Sequence, residues 1–442
     1  MSLAFEILHH DATSRARLGR VTTPHGSFDT PAFMPVGTQG TVKGLLPTQV
    51  AATGTQILLA NTYHLMLRPG SELVAQMGGL HQWMGWAGSI LTDSGGYQVY
   101  SLADISRIDE AGVHFRSHID GAAIDLTPER AIQVQNELGA DIIMAFDDCP
   151  PAAAAGSGIR DPDTGPDPNP GIRNPKLDRP RVAPADYPAR LRLANERTVR
   201  WLERCIRAHG RPGEQALFGI VQGGTDLAQR DWCLDRVAGF DLPGYAIGGV
   251  AVGEGHDELC RVVRHVAPRL PAERPRYLMG VGYERDILVA AQAGVDMFDC
   301  VLPTRNGRSA CAFTSTGQIR LKNARFREDP GPIEPGCDCI ACGAGAAGSG
   351  SRDPGLPNPD PGTRNPDSAA PAFSRSYLRH LFLAGEMLGP MLVSAHNIRH
   401  FQRYLLDIRQ AIRQNDWSFV LRRWPVAGVA AVARQPVEGL GE

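Results

Sequence analysis

The stretch LTDSGGYQVYSL places a carboxylate, two adjacent glycines and an aromatic ring close together in the chain. Asp93 is followed by Ser94, Gly95, Gly96 and Tyr97. Glycines allow a ligand to approach the backbone closely, and a tyrosine ring offers a flat face on which a nucleobase can stack. The alternative interpretation is a tight turn in which Asp93 caps a helix.

A second carboxylate, Asp299, follows another apolar run and precedes a loop with Pro303, Arg305, Gly307 and Arg308. A carboxylate beside two arginines suits a reaction on a sugar that is flanked by phosphates. Two aspartates from different strands suit retaining glycosyl transfer, in which one attacks the anomeric carbon and the other moves the proton. The alternative interpretation makes Asp299 an ion-pair partner of Arg305.

Three cysteines lie within six residues, in the pattern Cys337-x-Cys339-x-x-Cys342. This spacing is typical of a tetrahedral zinc site, and a chance group of thiols without metal is the alternative. The fourth ligand is missing nearby, and His380 and His396 are the candidates farther along the chain. A shell of three thiolates and one histidine leaves no open position, so we expect a structural zinc.

Short apolar runs alternate with helix-like stretches, which predicts a parallel sheet buried on both faces. Seven or so such units favour an α/β fold of the (β/α)8 barrel type over a doubly wound sheet. The strand candidates are 56–60, 90–92, 141–146, 216–221, 245–248, 276–279 and 295–298. The helix candidates are 127–138, 188–208, 257–266 and 284–293.

A polar residue or a glycine stands at or just after the carboxyl end of each predicted strand. Active sites of such barrels are built at this end from several strands at once, so we expect these residues to converge. They are Asn61, Asp93, Asp147, Gln222, Gly249, Gly280 and Asp299.

Two segments, 156–175 and 348–366, resemble each other and interrupt this alternation. Both are dense in Gly, Pro, Asp and Asn and nearly free of large apolar residues. Such composition buries too little surface to offset the entropy of ordering. We predict disordered inserts at 156–182 and 343–371 within a single domain spanning 1–442, the second lying inside a zinc-binding subdomain at 335–400. A functional loop is the alternative.

Composition and charge exclude some classes of protein. The chain has 442 residues, 43% of them hydrophobic, and a net charge of −2, which argues against non-specific coating of nucleic acid. A local basic patch would still allow RNA as a substrate. We expect no membrane span, because no apolar run reaches about 18 residues, and no secretory signal, because the first residues, MSLAFEILHHD, lack a basic region followed by an apolar stretch. Nine scattered cysteines suit a reducing cytoplasm better than a disulfide framework.

Six motifs occur together: TDSGGYQ, FGIVQGG, IGGVAVGE, RYLMGVG, MFDCVLPTR and C-x-C-x-x-C. The combination resembles the bacterial tRNA-guanine transglycosylases (queuine tRNA-ribosyltransferases) from about residue 5 to residue 419. The resemblance implies a (β/α)8 barrel with a zinc-binding insertion near its C-terminal end, working as a homodimer. It implies exchange of the wobble guanine in tRNAs with a G-U-N anticodon (Asp, Asn, His and Tyr tRNAs). The incoming base would be the 7-deazaguanine precursor preQ1, and the exchange, a step of queuosine biosynthesis, would pass through a covalent enzyme–RNA intermediate.

The resemblance also implies roles for individual residues. Asp299 would be the nucleophile on C1′ of the ribose, and Asp93 the general acid/base. The base would be held by Asp93, Ser94, Gly95, Gly96, Tyr97, Asp147, Gln222, Gly249, Val250 and Met279. RNA would be contacted by Gly280, Val281, Gly282, Tyr283, Glu284, Arg285, Asp286, Thr304, Arg305, Asn306, Gly307 and Arg308. Zinc would be held by Cys337, Cys339, Cys342 and His396, with His380 as the second choice for the histidine.

The chain departs from the family pattern at two points of the base pocket. The family often has Glu after the first pocket aspartate, where this chain has Asp148, so either Asp147 or Asp148 is a candidate base reader, and the alignment of FDDC favours Asp147. Val250 stands where bacterial members usually have Leu. Cys149 and Val252 match enzymes that take the aminomethyl precursor rather than queuine.

Two rival functions remain at this point. A glycoside hydrolase or nucleosidase on the same barrel would use Asp93 and Asp299 with water. An inactive, partner-binding subunit of the same superfamily would be expected to lose a carboxylate, and both are present.

Overall fold

A computed structural model describes residues 2–96, 107–150, 186–343 and 372–428 of the chain. The strands are β1 (Ala4–His10), β2 (Arg17–Thr23), β3 (Gly26–Thr30), β4 (Ala32–Gly37), β5 (Ile57–Ala60), β6 (Ser89–Thr92), β7 (Arg107–Ile108), β8 (Val113–Arg116), β9 (Ala123–Leu126), β10 (Ile142–Met144), β11 (Ala216–Val221), β12 (Gly244–Ile247), β13 (Arg276–Leu278), β14 (Met297–Cys300), β15 (Cys311–Thr314) and β16 (Gly317–Arg320). The helices are α1 (Pro47–Ala52), α2 (Thr62–Leu67), α3 (Ser71–Gln76), α4 (Gly79–Met84), α5 (Pro128–Leu138), α6 (Tyr187–Ala208), α7 (Leu227–Val237), α8 (His256–Val266), α9 (Glu284–Gln292), α10 (Leu302–Arg308), α11 (Arg375–Ala384), α12 (Leu388–Gln414), α13 (Trp417–Arg423) and α14 (Pro425–Gly428).

Eight parallel strands close into a barrel, which confirms the predicted fold. Their order around the barrel is β4, β5, β6, β10, β11, β12, β13 and β14, and β14 pairs back onto β4. The interior is filled by apolar side chains such as Met34, Leu59 and Phe218, and a second, larger core lies between the strands and the surrounding helices. The strands are therefore buried on both faces, as continuous apolar runs in a parallel sheet require.

All seven predicted barrel strands are present, with their ends displaced by up to two residues. One barrel strand was missed, and one site residue was placed after its strand instead of inside it. The first barrel strand, β4, was not predicted, because Pro31 precedes it and Pro35 interrupts its apolar run, and prolines weaken a strand pattern. Strand β14 spans Met297–Cys300 rather than 295–298, so Asp299 lies inside the strand and not after it.

An antiparallel sheet of β1, β2 and β3 lies at the amino end of the barrel and was not predicted. Arg17 on β2 donates to Asp296 just before β14, at 2.6 Å, and Thr23 bonds Ser89 at the start of β6. His25, in the turn between β2 and β3, bonds Asp141 just before β10. Because the sheet covers this end, the opposite end is left for a site.

A small separate core packs near the carboxyl end of the described chain. It joins residues from Ala310 to Val393 and includes all three cysteines of the predicted metal site. The long helix α12 ties this core to the barrel, since Asn397 donates to the carbonyl of Pro303 and Gln402 donates to the carbonyl of Phe33.

Some predictions fall on residues that lie outside the described ranges. These are Tyr97, the insert at 156–182, and the insert at 343–371 apart from Gly343. Within the described ranges, no helix combines the length and the apolar character that a membrane crossing needs.

Candidate active site

Asp299 is held through one of its two carboxylate oxygens. The hydroxyl of Tyr277 on β13 donates to Asp299 Oδ1 at 2.6 Å, and the N–H of Gly280 donates to the same oxygen at 2.7 Å. Burial raises the pKa of Asp299, and these two hydrogen bonds oppose the rise. Among the described residues Asp299 Oδ2 accepts no hydrogen bond, and Asp299 forms no ion pair with Arg305. One carboxylate oxygen is thus available to attack an electrophile.

Asp93 directly follows β6 and is 7% exposed. The side-chain amide of Asn61 donates to Asp93 Oδ2 at 2.5 Å, and the N–H of Thr62 donates to Oδ1 at 2.8 Å. Thr62 begins α2, so Asp93 also satisfies an N–H in the first turn of a helix.

Tyr277 links the two aspartates. The pKa of this phenol is raised well above its usual value by burial first, then by the charge of Asp299 and also by that of Asp93. Both carboxylates therefore lie near the same phenol, at the carboxyl ends of β6 and β14. This is the pair of groups that double displacement at a sugar needs.

Asp147 forms the centre of a second polar group at the same end of the barrel. The side-chain amide of Gln222 donates to Asp147 Oδ2 at 2.6 Å, and the hydroxyl of Ser94 donates to Oδ1 at 3.1 Å. Burial raises the pKa of Asp147 to about 6, against the effect of these two hydrogen bonds. Residues that follow three different strands, β6, β10 and β11, thus meet as the sequence predicted, and they offer a carboxylate and an amide to a planar ligand.

Asp148 was the other candidate for reading a base, and its partners give it a different role. Arg190 donates to both of its oxygens at 2.9 and 2.5 Å, and Arg197 donates to Oδ2 at 2.5 Å. The Asp148 side chain is fully buried. Because both oxygens are paired with arginines of α6, Asp148 anchors that helix, and Asp147 stays the candidate for reading a base.

The segment after β12 forms the wall beside Gln222. Gly249 has φ of +63°, and a Cβ at this position would lie 2.2 Å from Gln222 Oε1, so only glycine fits. The side chain of Glu254 accepts from the N–H groups of Ala251 and Val252, the latter at 2.9 Å. Ala251 has φ of +67°, an uncommon conformation for alanine that Glu254 helps to hold.

Glu254 was not singled out from the sequence, although it ends the motif IGGVAVGE. Val250 is buried at 3% exposure, while Met279 is partly buried and packs against the interior core of the barrel. Both side chains are apolar residues at the end of the barrel that carries the aspartates.

In each of the two segments expected to contact RNA, some residues are exposed and others are buried. Gly280, Arg305 and Arg308 are exposed, and Tyr283 and Arg285 are partly exposed. The buried residues have packing partners within the fold. They are Val281, Gly282, Glu284, Asp286, Thr304, Asn306 and Gly307.

The packing of the buried members is specific. Glu284 accepts from His400 at 2.6 Å, and Asp286 pairs with His256. A Cβ on Gly282 would lie 2.3 Å from the Cβ of Cys300, and one on Gly307 would lie 2.6 Å from the hydroxyl of Ser394. These residues support the two segments that carry the exposed residues, which include the helices α9 and α10.

A group of basic side chains adjoins Arg305 and Arg308, and Lys43, His64 and His118 in this group were missed in the sequence. The pKa of Lys43 is lowered by burial and then by the charges of Arg308 and Arg305. The pKa of His64 is lowered by burial, then by His118 and Lys43. Lys43, Arg305 and Arg308 thus form a cationic surface suited to a polyanion, while the lowered pKa of His64 favours its neutral form.

The three cysteines and His396 form one buried metal-binding group. The sulfurs of Cys337, Cys339 and Cys342 lie 3.7, 3.4 and 3.4 Å from His396 Nδ1. Tetrahedral ligands with Zn–S of about 2.3 Å and Zn–N of about 2.05 Å would be about 3.6 Å apart, so the group fits zinc.

The second nitrogen of the His396 ring, Nε2, is also held in place. His396 Nε2 lies 2.8 Å from the carbonyl of Phe313, and this partner selects the tautomer whose Nδ1 lone pair faces the sulfurs. His380 is exposed and stacks near Tyr377, so the second choice for the fourth ligand is wrong.

A family model described as "Queuine tRNA-ribosyltransferase" matches residues 11–161 and 170–425. Three curated relatives carry the same name. The protein of Thermus thermophilus is 48% identical over 410 residues, covering 93% of this chain and 91% of the relative. The protein of Synechococcus elongatus is 46% identical over 423 residues (95% and 94%), and that of Symbiobacterium thermophilum is 45% identical over 428 residues (96% and 92%). The matches span the barrel, the two aspartates and the metal-binding group.

Proposed function

Since this chain belongs to the queuine tRNA-ribosyltransferase family, we propose that it is a pentosyltransferase that exchanges a guanine base in tRNA during queuosine biosynthesis. In detail, it replaces the wobble guanine of G-U-N tRNAs with preQ1, by double displacement through a covalent enzyme–RNA intermediate. The observation that carries the proposal is Asp299, held at Oδ1 by Tyr277 and Gly280, with Oδ2 left to react.

In the first displacement, Asp299 Oδ2 forms a bond to C1′ of the ribose as the bond from C1′ to guanine breaks. The electron pair of that bond leaves with the base, and Asp93 supplies the proton that the base takes up. In the second displacement, the incoming base gives a proton to Asp93 and attacks C1′, and Asp299 leaves as a carboxylate. No external energy source is needed, because the glycosyl ester between Asp299 and the ribose conserves the free energy of the glycosidic bond.

Base recognition falls to Asp147, Gln222 and the backbone at Gly249. A guanine edge presents donors and acceptors side by side, and a carboxylate, an amide and a backbone N–H complement them. With a pKa of about 6, Asp147 is mostly ionised at neutral pH and accepts from the N–H groups of the base. PreQ1 is also a guanine analogue, so the same groups serve both displacements. Ser94, Gly95, Gly96, Tyr97, Val250 and Met279 complete the proposed pocket.

The RNA binds across the exposed surface that carries the cationic side chains of Arg305, Arg308 and Lys43. The target base must leave its stack to reach Asp147, and an unpaired anticodon loop releases it at low cost. Arg305 and Arg308, with Lys43 beside them, pair with the phosphates around the target nucleotide. Gly280 and Tyr283 lie on the segment before α9, and Arg285 lies in the first turn of α9.

The metal-binding group holds one structural Zn²⁺ through Cys337, Cys339, Cys342 and His396. When bound, the ion supplies no step of the reaction and fixes the small core against α12. The homodimer and the cytoplasmic location expected from the resemblance and the cysteines stay predictions.

The test is incorporation of labelled guanine into purified tRNA with a G-U-N anticodon, followed by displacement of that label by preQ1. We expect both to occur. Release of guanine without incorporation would identify a hydrolase, and no reaction at all would identify an inactive subunit. A matched tRNA with adenine at the wobble position is the control.

A further inference from the structure

Arg230 on α7 is a fully buried cation that forms no ion pair among the described residues, although the charge of Glu254 acts on it from a longer distance. Burial lowers its pKa to about 10. A buried charge without a counter-ion is costly, so it persists only where its hydrogen bonds are well made. Arg230 lies at the carboxyl end of the barrel, the end that carries the aspartates, so its hydrogen bonds hold backbone near the site.

Within the described ranges, the hydrogen bonds of the guanidinium go to backbone carbonyls at the ends of two neighbouring strands. Arg230 Nε donates to Gly224 at 2.8 Å, and Nη1 donates to Val221 at 2.8 Å. Nη1 also donates to Gly248 at 2.7 Å, and Nη2 donates to Gly249 at 3.1 Å. The Arg230 guanidinium therefore links the segment after β11, which carries Gln222, to the segment after β12.

The direction of these carbonyls fixes the direction of the next N–H groups. A peptide group is planar and trans, so its N–H points opposite to its C=O. With the carbonyls of Gly248 and Gly249 aimed at Arg230, the N–H groups of Gly249 and Val250 face away from it. Within the described ranges neither N–H donates a hydrogen bond. Charge-assisted bonds to a carbonyl also polarise its peptide group and strengthen the N–H as a donor.

These two N–H groups stand beside the Asp147–Gln222 pair. Gln222 Oε1 lies 2.2 Å from where a Cβ of Gly249 would be, and Gln222 Nε2 bonds Asp147 at 2.6 Å. Donors at this place complement the oxygen at position 6 of guanine, which is an acceptor. They would repel an amino group at the same position.

We propose that Arg230 is a positioning residue for base selection: its guanidinium orients the peptide groups after β12 so that they donate to the 6-oxygen of a guanine-type base. The inference rests on the proposed function and adds a residue outside the pocket that determines its specificity. It predicts that loss of the hydrogen bonds from the guanidinium weakens discrimination against a base with an amino group at position 6.

The experiment compares guanine with 2,6-diaminopurine, which keeps the 2-amino edge and replaces the 6-oxygen by an amino group. The inhibition constant of 2,6-diaminopurine is divided by the KM of guanine in the exchange assay. We expect Arg230→Lys, which keeps the charge but not the planar set of guanidinium donors, to lower this ratio by about tenfold or more. Arg230→Gln, which keeps two donors without the charge, is expected to lower it as well.

Arg276→Lys is the matched control. Arg276 is also a buried arginine with a pKa lowered to about 10, and it also donates to backbone carbonyls, those of Leu270 and Gly294. It stands at the start of β13, at the opposite end of the barrel. We expect its replacement to lower the melting temperature and to leave the ratio unchanged.

Three results would overturn the inference. One is a ratio that falls no more in the Arg230 variants than in Arg276→Lys. The second is a rise in the KM of tRNA equal to that of guanine, with the ratio constant. The third is failure of both Arg230 variants to fold, which would assign the residue to barrel stability alone. Failure of the proposed function is separate, because the wild-type chain would then show no exchange.

Discussion

The hydroxyl of Tyr277 donates to Oδ1 of Asp299 at 2.6 Å, across the neighbouring strands β13 and β14. The bond stabilises the carboxylate form that burial disfavours, and it turns the other oxygen outward. A buried carboxyl thereby remains usable as a nucleophile.

Removal of this bond changes the pH dependence of the reaction. In Tyr277→Phe the pKa of Asp299 rises further, because the hydrogen bond that lowers it is lost. The reaction needs the carboxylate, so the acid limb of the kcat profile moves to higher pH. We expect kcat at neutral pH to fall by about ten- to a hundredfold, the effect of losing one hydrogen bond to a charged group.

Tyr245→Phe is the control for that substitution. Its hydroxyl donates to the carbonyl of Phe240 at the start of β12, away from the aspartates. An acid limb that stays in place or moves to lower pH in Tyr277→Phe would contradict the account.

Asp147→Asn is expected to stabilise the protein while it removes base recognition. Burial raises the pKa of Asp147 from 3.8 to about 6, so the folded state holds the proton more tightly than the unfolded chain. The stability that this tight proton binding provides is present at low pH and is lost as the pH rises through about 6. At neutral pH the substitution should therefore add up to about 3 kcal/mol to the free energy of unfolding.

Chemical denaturation at pH 5 and pH 7.5 measures this effect, and a guanine exchange assay measures the lost recognition. Asp148→Asn should do the reverse, because it removes the buried carboxylate charge that pairs with Arg190 and Arg197 and destabilises by about 3–5 kcal/mol. Equal destabilisation by both substitutions would show that Asp147 is a structural carboxylate only.

The metal-binding group makes a prediction that elemental analysis checks. The purified chain should hold one zinc, and Cys339→Ala or His396→Ala should lose it together with several degrees of melting temperature. His380→Ala should keep the metal, since that side chain is exposed. Zinc that is retained in His396→Ala would refute the assignment of the fourth ligand.

The cationic surface predicts a salt-dependent effect. Arg308→Ala should weaken tRNA binding across different tRNAs and reduce the slope of log Kd against log salt by about 1. The KM of guanine should stay the same. Arg207→Ala, in the last turn of α6, removes an exposed charge far from the strand ends and serves as the control. An unchanged salt slope in Arg308→Ala would remove this residue from the RNA surface.

The sequence predicted the positions that follow from strand polarity. All parallel strands end on one side of a barrel, so Asp147 and Gln222, 75 residues apart, were expected to meet, and they lie 2.6 Å from each other. The metal ligands were predictable from spacing for the cysteines and from the resemblance for His396.

The partners that tune these residues were not predictable in the same way. Tyr277 lies within an apolar strand, and Arg230 lies on a helix, where arginine is usually a surface residue. Their roles depend on which way each side chain points after packing. Asp148 likewise looked equivalent to Asp147 until two arginines, 42 and 49 residues away, were placed on it.

Asp299 is the residue expected to form the covalent bond to RNA. The most direct measurement is a denaturing gel of enzyme incubated with labelled tRNA, for the wild-type chain, Asp299→Asn and Asp93→Asn. A band of enzyme linked to RNA should appear for the wild-type chain and be absent from Asp299→Asn, while both variants keep their metal and melting temperature. A linked band that persists in Asp299→Asn would contradict the account.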